Sequence, residues 1–271
     1  MESQRHKIHL TNEKATLLIT LYAKALDNRS KRSLLRDTKA DEIAALIDYD
    51  FEQLNGFDKG NLTVLRAKQL DEWLNAFLQT TPKAVVVNLG CGLDTRITRI
   101  HPPASVRWFD VDYPEVIALR EQFYANREGY TMIGASVTSS EWIQQIPNTT
   151  PVMILAEGLL EYLSEEEVKT LFNRITDYFP SGQLAFDVMN SFAVRSGKSH
   201  LNKTMGAAHN WAVDNPDAVD NLDTRLKRIT DLPLFASPYR YNLPWQFRIL
   251  YSVMARIPPF RTMLRLLRYR F

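Results

Sequence analysis

The sequence predicts an α/β fold built on a doubly wound, mostly parallel sheet, and three observations predict it. Short apolar runs recur at Ala84–Leu89, Val106–Val111, Tyr130–Ile133, Val152–Ala156 and Leu184–Val188. Helical stretches lie between them, at Pro114–Asn126 and Ser164–Phe179. The first run, AVVVNL, is apolar almost throughout, as a strand covered on both faces must be. Strands alternating with helices are the pattern of a parallel sheet with crossover connections.

The elements follow in order. Residues 11–27 set Leu17, Leu18, Leu21, Tyr22 and Ala25 at helical spacing. Asp41–Tyr49 reads as a second, short helix. Leu62–Leu78 reads as a longer one, with Leu65, Gln69, Trp73 and Phe77 along one stripe. Pro82 breaks the chain before the first strand. The helix at 164–179 opens with Ser164 and three glutamates, a capping box with acids at the positive helix end. Residues 190–225 are polar and irregular, suited to a lid or substrate loop. At the end, Leu267, Tyr269 and Phe271 alternate with Arg268 and Arg270, the period of a terminal strand with one face toward solvent.

Composition narrows the class. The 271 residues are 24% charged and 45% hydrophobic, ordinary for a soluble globular protein, which argues against disorder, collagen or a disulfide scaffold. No stretch approaches the ~18 uninterrupted apolar residues of a membrane span. The start, MESQRHKIHL, lacks the apolar core of a signal peptide, so the expected location is cytoplasmic. Cys91 is the single cysteine, so no internal disulfide forms, and cysteine-based zinc sites are nearly excluded. His6, His9 and His101 have no metal-like spacing, and no metal is expected. The net charge of +2 hides an asymmetry. Residues 232–271 hold seven arginines and no Asp, Glu or Lys, so the first 231 residues carry −5. Such an aromatic, basic segment suits a nucleic-acid arm, a membrane surface, or arginine stems lying over a core.

The most informative segment is VVVNLGCGLDTR, Val85–Arg96. A buried strand runs into Gly90-Cys91-Gly92, where glycines permit a tight turn and close approach of a ligand. The next strand ends in Asp110 and Asp112, placed where an α/β fold binds ribose hydroxyls. The dinucleotide fingerprint fails, because Thr95 replaces its last glycine and Asp94 would repel a pyrophosphate. A nucleoside ligand without phosphate fits better, and S-adenosylmethionine is one. NAD(P) and a ligand-free turn stay open on spacing alone.

VVVNLGCGLDTR, RWFDVDYPEVIALR and LAEGLLEYLSEEEV, in this order, resemble the leucine carboxyl methyltransferase family, and within it the bacterial tetracenomycin-type (polyketide) O-methyltransferases. The resemblance extends over most of the chain, from TLYAKALDNRS to LLRYRF. It implies a Rossmann-like methyltransferase fold, S-adenosyl-L-methionine as donor and S-adenosyl-L-homocysteine as product. It assigns Arg66 to the donor's carboxylate, Gly90, Cys91 and Gly92 to the turn, and Asp112, with Asp110 second, to the ribose. Glu157 matches an acid that faces the donor. Two positions depart from the eukaryotic pattern. The Asp-Leu pair that contacts adenine is absent, leaving Ser136 and Val137 near its place as candidates to serve adenine through a hydroxyl or the backbone, and R-G-[YF]-[YF]-A-R is reduced to LRAK around Arg66. The second departure argues against a phosphatase tail as substrate.

No general base is assignable. His200 and His209 follow the fifth strand, Tyr162 lies on the EYL turn, and Tyr22, Arg29 and Arg195 are candidates for holding an anionic acceptor. Cys91 tempts a nucleophile reading, but the family uses its position as turn backbone. The expectation is one methyltransferase domain over 1–271. It has a helical cover (1–80), a donor-binding core (81–189), an insertion (190–225) and C-terminal strands with connecting helices (226–271), including an antiparallel last strand. The expected activity is methyl transfer to a hydroxyl or carboxylate oxygen of a small, polyketide-like molecule, with neither nucleic acid nor membrane as partner. The alternatives are an NAD(P)-dependent oxidoreductase and a nucleic-acid-binding protein that uses the arginine-rich tail.

Overall fold

The computed structural model describes residues 16–54, 58–196 and 209–271. Five strands, β1 (Val85–Leu89), β2 (Arg107–Asp112), β3 (Tyr130–Gly134), β4 (Val152–Ala156) and β5 (Gly182–Met189), run parallel to one another. Two more, β6 (Lys227–Pro233) and β7 (Leu264–Arg270), complete a sheet of order β3-β2-β1-β4-β5-β7-β6. β7 is antiparallel to both its neighbours. Chain order reverses between β1 and β4, and the carboxyl ends flanking such a reversal form a crevice.

Around the sheet lie α1 (Leu17–Asn28), α2 (Thr38–Leu46), α3 (Asn61–Thr80), α4 (Arg96–Ile100), α5 (Pro114–Arg120), α6 (Glu165–Tyr178), α7 (Asp217–Asp220), α8 (Trp245–Met254) and α9 (Pro258–Arg261). Each sheet face has its own core, because β1 and β4 are buried on both faces and send alternate side chains to each. Val85, Val87 and Leu89 meet Val168, Leu171, Phe172 and Ile175 of α6. Val86 meets Leu70, Trp73, Leu74 and Phe77 of α3. The expected α3 stripe of Leu65, Gln69, Trp73 and Phe77 is buried. The expected capping box on α6 is present: the Ser164 hydroxyl accepts from Glu167 N, and Ser164 N donates to Glu167 Oε2 at 2.8 Å.

Several boundaries move. α2 begins at Thr38, earlier than expected, because Asp37 caps it by accepting from Ala40 N at 2.9 Å. α5 ends at Arg120 and not near Asn126. The last strand is longer than expected, β6 pairs along its outer edge, and the face expected to meet solvent is largely covered. Leu267 and Tyr269 face one core and Leu264 and Leu266 the other. Arg268 is half-buried, with its Nε donating to Gln183 Oε1 at 2.7 Å and its guanidinium 6.0 Å from the Trp73 ring centre.

α1 and α2 pack on each other and on Leu93, Val116 and Leu119 through a third apolar cluster. That contact lays α1 over the carboxyl edge of the sheet, where the expected N-terminal cover belongs. Of the expected insertion, residues 197–208 lie outside the described residues. The part that follows is packed: Trp211 and Val213 are buried, and Val213 N donates to Met189 O at 2.8 Å.

Candidate active site

A cavity opens at the carboxyl ends of β1, β2 and β4, at the reversal of strand order. Its walls include the Gly90–Gly92 turn, Asp112, Glu157 and Tyr162. Arg66 of α3 enters from below, and Thr16, Leu17, Thr20 and Lys24 close it from the side of α1.

The turn after β1 exists because two residues lack a Cβ. Gly90 and Gly92 take φ of +62° and +48°. A Cβ on Gly90 would lie 2.9 Å from Leu159 Cδ1, so the chain after β4 presses directly on the turn. Gly92 N donates to Asp112 Oδ2 and Tyr113 N to Asp112 Oδ1, each at 2.7 Å. Asp112 thus ties β2 to the glycine turn while lining the cavity. Burial pushes its carboxyl up to about 6, against the pull of those two N–H groups. Cys91 is buried, and burial pushes its thiol well above the usual range. A nucleophilic thiolate is disfavoured there.

Behind the turn lies a chain of buried ion pairs. Arg66 Nη1 is 2.7 Å from Asp187 Oδ2, and its Nε is 3.3 Å from Glu157 Oε1. Asp187, in β5, also accepts from Gly158 N at 2.7 Å, fixing the loop that carries Glu157. Glu157 is paired on its other side with Arg96. Burial opposes the Glu157 charge, but Lys24, Arg96 and Arg66 overcome it and lower the carboxyl to about 2.

A second group of charges joins the cover to the turn. Lys24 Nζ lies 2.5 Å from Asp94 Oδ1, and Arg96 Nη1 lies 2.7 Å from Asp94 Oδ2. Arg96 and Arg99 reach Asp71 of α3 at 2.6 and 2.9 Å, and Arg99 reaches Asp37 at 2.6 Å. Burial again works against the charge of Asp94, yet Arg96, Lys24 and Arg99 hold it well below the usual carboxylate range. Thr95 is fully buried against Asp37, so the start of the five-residue α4 is closed to a pyrophosphate.

Beyond Glu157, the chain makes a 3-10 turn at Leu160–Tyr162. Glu161 is 3% exposed, and its Oε2 has no hydrogen-bond partner among the described residues. Burial, then the nearby Asp187, pushes its carboxyl up to about 8. Its backbone carbonyl accepts from Asn210 N at 2.7 Å. His209 packs against Tyr162 with ring centres 5.3 Å apart.

Of the sequence-derived candidates, Arg66, Gly90, Cys91, Gly92, Asp112, Glu157 and Tyr162 converge on the cavity. Asp110 does not. It shares a strand face with Asp112 but lies two residues back, inside the sheet. There it accepts from Arg120 and Tyr130 at 2.6 Å, Trp108 Nε1 at 2.9 Å and Asn88 at 3.3 Å. Those four donors saturate its lone pairs. Ser136 and Val137 lie off the cavity lining. The Ser136 hydroxyl bonds Thr138, and the Val137 carbonyl already accepts from Trp142 and Arg174. Tyr22 donates to Glu52 at 2.9 Å and stacks on Phe51, away from the cavity. Arg29 pairs with Asp41 near the surface at 2.7 Å, and Arg195 is exposed. His200 lies outside the described residues. Periodicity missed Lys24 and Asp187. Their signal was a charge on an apolar face: Lys24 continues the Leu17–Leu21 stripe, and Asp187 interrupts the apolar run of β5.

Comparisons with known proteins place the chain in a family. A model of the leucine carboxyl methyltransferase family matches residues 8–176. The chain is 39% identical to the tetracenomycin polyketide synthesis O-methyltransferase TcmP of Streptomyces glaucescens over 266 residues, 97% of this chain and 98% of that protein. It is 32% identical to the S-adenosyl-L-methionine-dependent methyltransferase dpfgK of Gibberella zeae, covering 78% of each. Among solved structures it resembles a putative methyltransferase from Thermobifida fusca, with a TM-score of 0.60 and 17% identity over 92% of this chain and 93% of that one. That last likeness concerns the fold.

Proposed function

This chain belongs to the leucine carboxyl methyltransferase family and is an S-adenosylmethionine-dependent methyltransferase, and we propose that it methylates an oxygen atom of a small, polyketide-like acceptor. The observation that supports this reading best is the charge pattern of the cavity. The buried guanidinium of Arg66 lies on the cavity wall beside the Glu157 carboxylate, Asp112 lines it where β2 meets the glycine turn, and Lys24 and Asp94 line it as an ion pair. S-adenosylmethionine carries a carboxylate, an ammonium group and a ribose diol, and these groups call for such partners.

The donor supplies an electrophilic methyl group on a sulfonium. In this assignment Arg66 holds the donor's carboxylate, a match for a guanidinium fork. Glu157, ionised across the physiological range, faces the ammonium group. Asp112 takes the ribose hydroxyls, and Gly90 and Gly92 let the ligand lie against the backbone. Leu17, Val116 and Leu159 help exclude water from the cavity. Displacement at a methyl carbon requires nucleophile, carbon and sulfur in line, so the protein contributes chiefly orientation, worth several kcal/mol. In this reading the acceptor approaches past Tyr162, which lies on the cavity wall against buried His209. A carboxylate acceptor needs no base, whereas a hydroxyl gains from one.

The oxidoreductase reading loses support because α4 presents no open N-terminus to a pyrophosphate. A thermal-shift comparison separates the two. S-adenosylhomocysteine should raise Tm and NAD should not, since a ligand that binds the folded state alone stabilises it. Stabilisation by NAD alone would refute the assignment. The acceptor atom is read from radiolabelled methyl transfer to aromatic acids and phenols. An alkali-labile product is a methyl ester, and an alkali-stable one is an ether.

A further inference from the structure

The arginine-rich C-terminal region divides in two. Its last part, β7, is absorbed by the sheet, but the part before it is not. Trp245, Ile249, Val253 and Ile257 recur every four residues along α8 and the turn after it. They are 65%, 57%, 49% and 40% exposed, and Tyr241 beside them is 58% exposed. These are the largest outward-facing apolar side chains of the region, and they form one stripe because four-residue steps stay on one helix face. Arg248 and Arg256 flank the stripe. Across Tyr241 the surface continues into a polar groove lined by Lys31, Arg32 and Arg36. Neither lining includes an acidic residue.

We propose that this face docks reversibly on an anionic lipid surface. A short amphipathic helix with Trp and aliphatic residues on one face and arginines beside them is built to lie in a bilayer interface. α8 has ten residues, about 15 Å of helix, too little apolar area to anchor alone. The five basic side chains, Arg248 and Arg256 beside the stripe and Lys31, Arg32 and Arg36 in the groove, supply the second attraction. A second copy of the chain is the weaker occupant. A two-fold contact would set the face against itself and bring arginines onto arginines with no carboxylate between them. No described helix is long and apolar enough to cross a membrane, so the contact is peripheral.

Sedimentation of the full chain with vesicles tests this. It should pellet with phosphatidylcholine vesicles containing phosphatidylglycerol, stay in solution with phosphatidylcholine alone, and be released by added salt. Trp245→Glu with Ile249→Glu should abolish pelleting. Arg248→Glu with Arg256→Glu should weaken it about tenfold or more. All four side chains are exposed, so both variants should keep the wild-type Tm and S-adenosylhomocysteine affinity. No pelleting with phosphatidylglycerol vesicles, or undiminished pelleting of the Trp245→Glu/Ile249→Glu variant, overturns the proposal. So does a lipid-free dimer in analytical ultracentrifugation that this variant dissociates, which would make the occupant a second copy. Binding to polyglutamate without binding to vesicles would make it an acidic protein and overturn it equally.

Discussion

Arg66 and Asp187, 121 positions apart, meet at 2.7 Å beneath the cavity and are both buried. The pair holds the guanidinium and, through the Gly158 N–H, the loop that bears Glu157. Breaking a buried pair by removing one partner typically costs about 3–5 kcal/mol, because the other charge is left uncompensated. Asp187→Asn keeps an acceptor for Gly158 but removes the charge facing Arg66. It should lower stability by about that amount in urea denaturation and weaken S-adenosylhomocysteine binding. Arg66→Lys keeps the charge but lacks the planar fork, so its loss of donor affinity should exceed its loss of stability. Unchanged affinity in calorimetry would separate Arg66 from the donor.

With Asp112 on the donor's ribose, as proposed, donor binding should depend on pH. Its carboxyl, raised from 3.8 to about 6 by burial, is ionised above pH 6 and neutral below. Ribose hydroxyls bond more strongly to the ionised form. Affinity for S-adenosylhomocysteine should therefore be flat from pH 7 to 8 and about tenfold weaker at pH 5, one unit below the transition. Asp112→Asn should bind weakly throughout and lose this dependence. Calorimetry across the range checks both.

Glu161 couples stability to pH with a definite sign. Its carboxyl is raised from 4.5 to about 8, so between those values the folded chain holds a proton that the unfolded chain has released. Stability from this group is present below pH 4.5 and is lost as pH rises to 8. Glu161→Gln should remove that slope and leave the variant more stable than wild type at pH 8.5. Urea midpoints at pH 6 and 8.5 decide the matter.

In the proposed mechanism Cys91 supplies turn backbone and no chemistry. Cys91→Ala should retain most methyl transfer, with a modest stability loss of about 1 kcal/mol from the vacated buried volume. Near-total loss of activity in a correctly folded variant would reinstate the thiol as a participant.

Removing Leu264–Phe271 takes out a strand that lies between two others. Leu266, Leu267 and Tyr269 are fully buried, and both neighbouring strands would lose their ladder partners. The truncated chain should fail to fold, with no cooperative melt by circular dichroism. A cooperative transition with S-adenosylhomocysteine binding would contradict the structural role given to β7 between β5 and β6.

Local pattern carried much of this structure. β1 and β4 are visible as continuous apolar runs because burial on both faces leaves no room for alternation. Ser164 and Glu167 announce the start of α6, since capping is a contact between near neighbours in sequence. The irregular β6 left no such mark: its residues alternate between exposed and half-buried, and a bulge separates Arg228 from Thr230. Asp110 and Asp112 were indistinguishable by type and face, and only their depth along β2 separates a saturated interior carboxylate from one at the cavity.

The sequence by itself determined the glycine turn, the acid ending β2, the acid after β4 and the α/β alternation that brings them to one edge. Each depends on residues close together along the chain, or on strand ends that a parallel sheet must align. Tertiary structure alone decided which charges are paired. Lys24 with Asp94, Arg66 with Asp187 and Arg96 with Glu157 join distant elements, and burial makes each partner's identity matter. It also decided the fate of the C-terminal arginines. Composition lists them as one basic segment, but packing buries the strand that carries Arg265 and Arg268 and leaves Arg248 and Arg256 beside an exposed apolar stripe. That difference depends on which neighbours cover each element, and no local pattern encodes it.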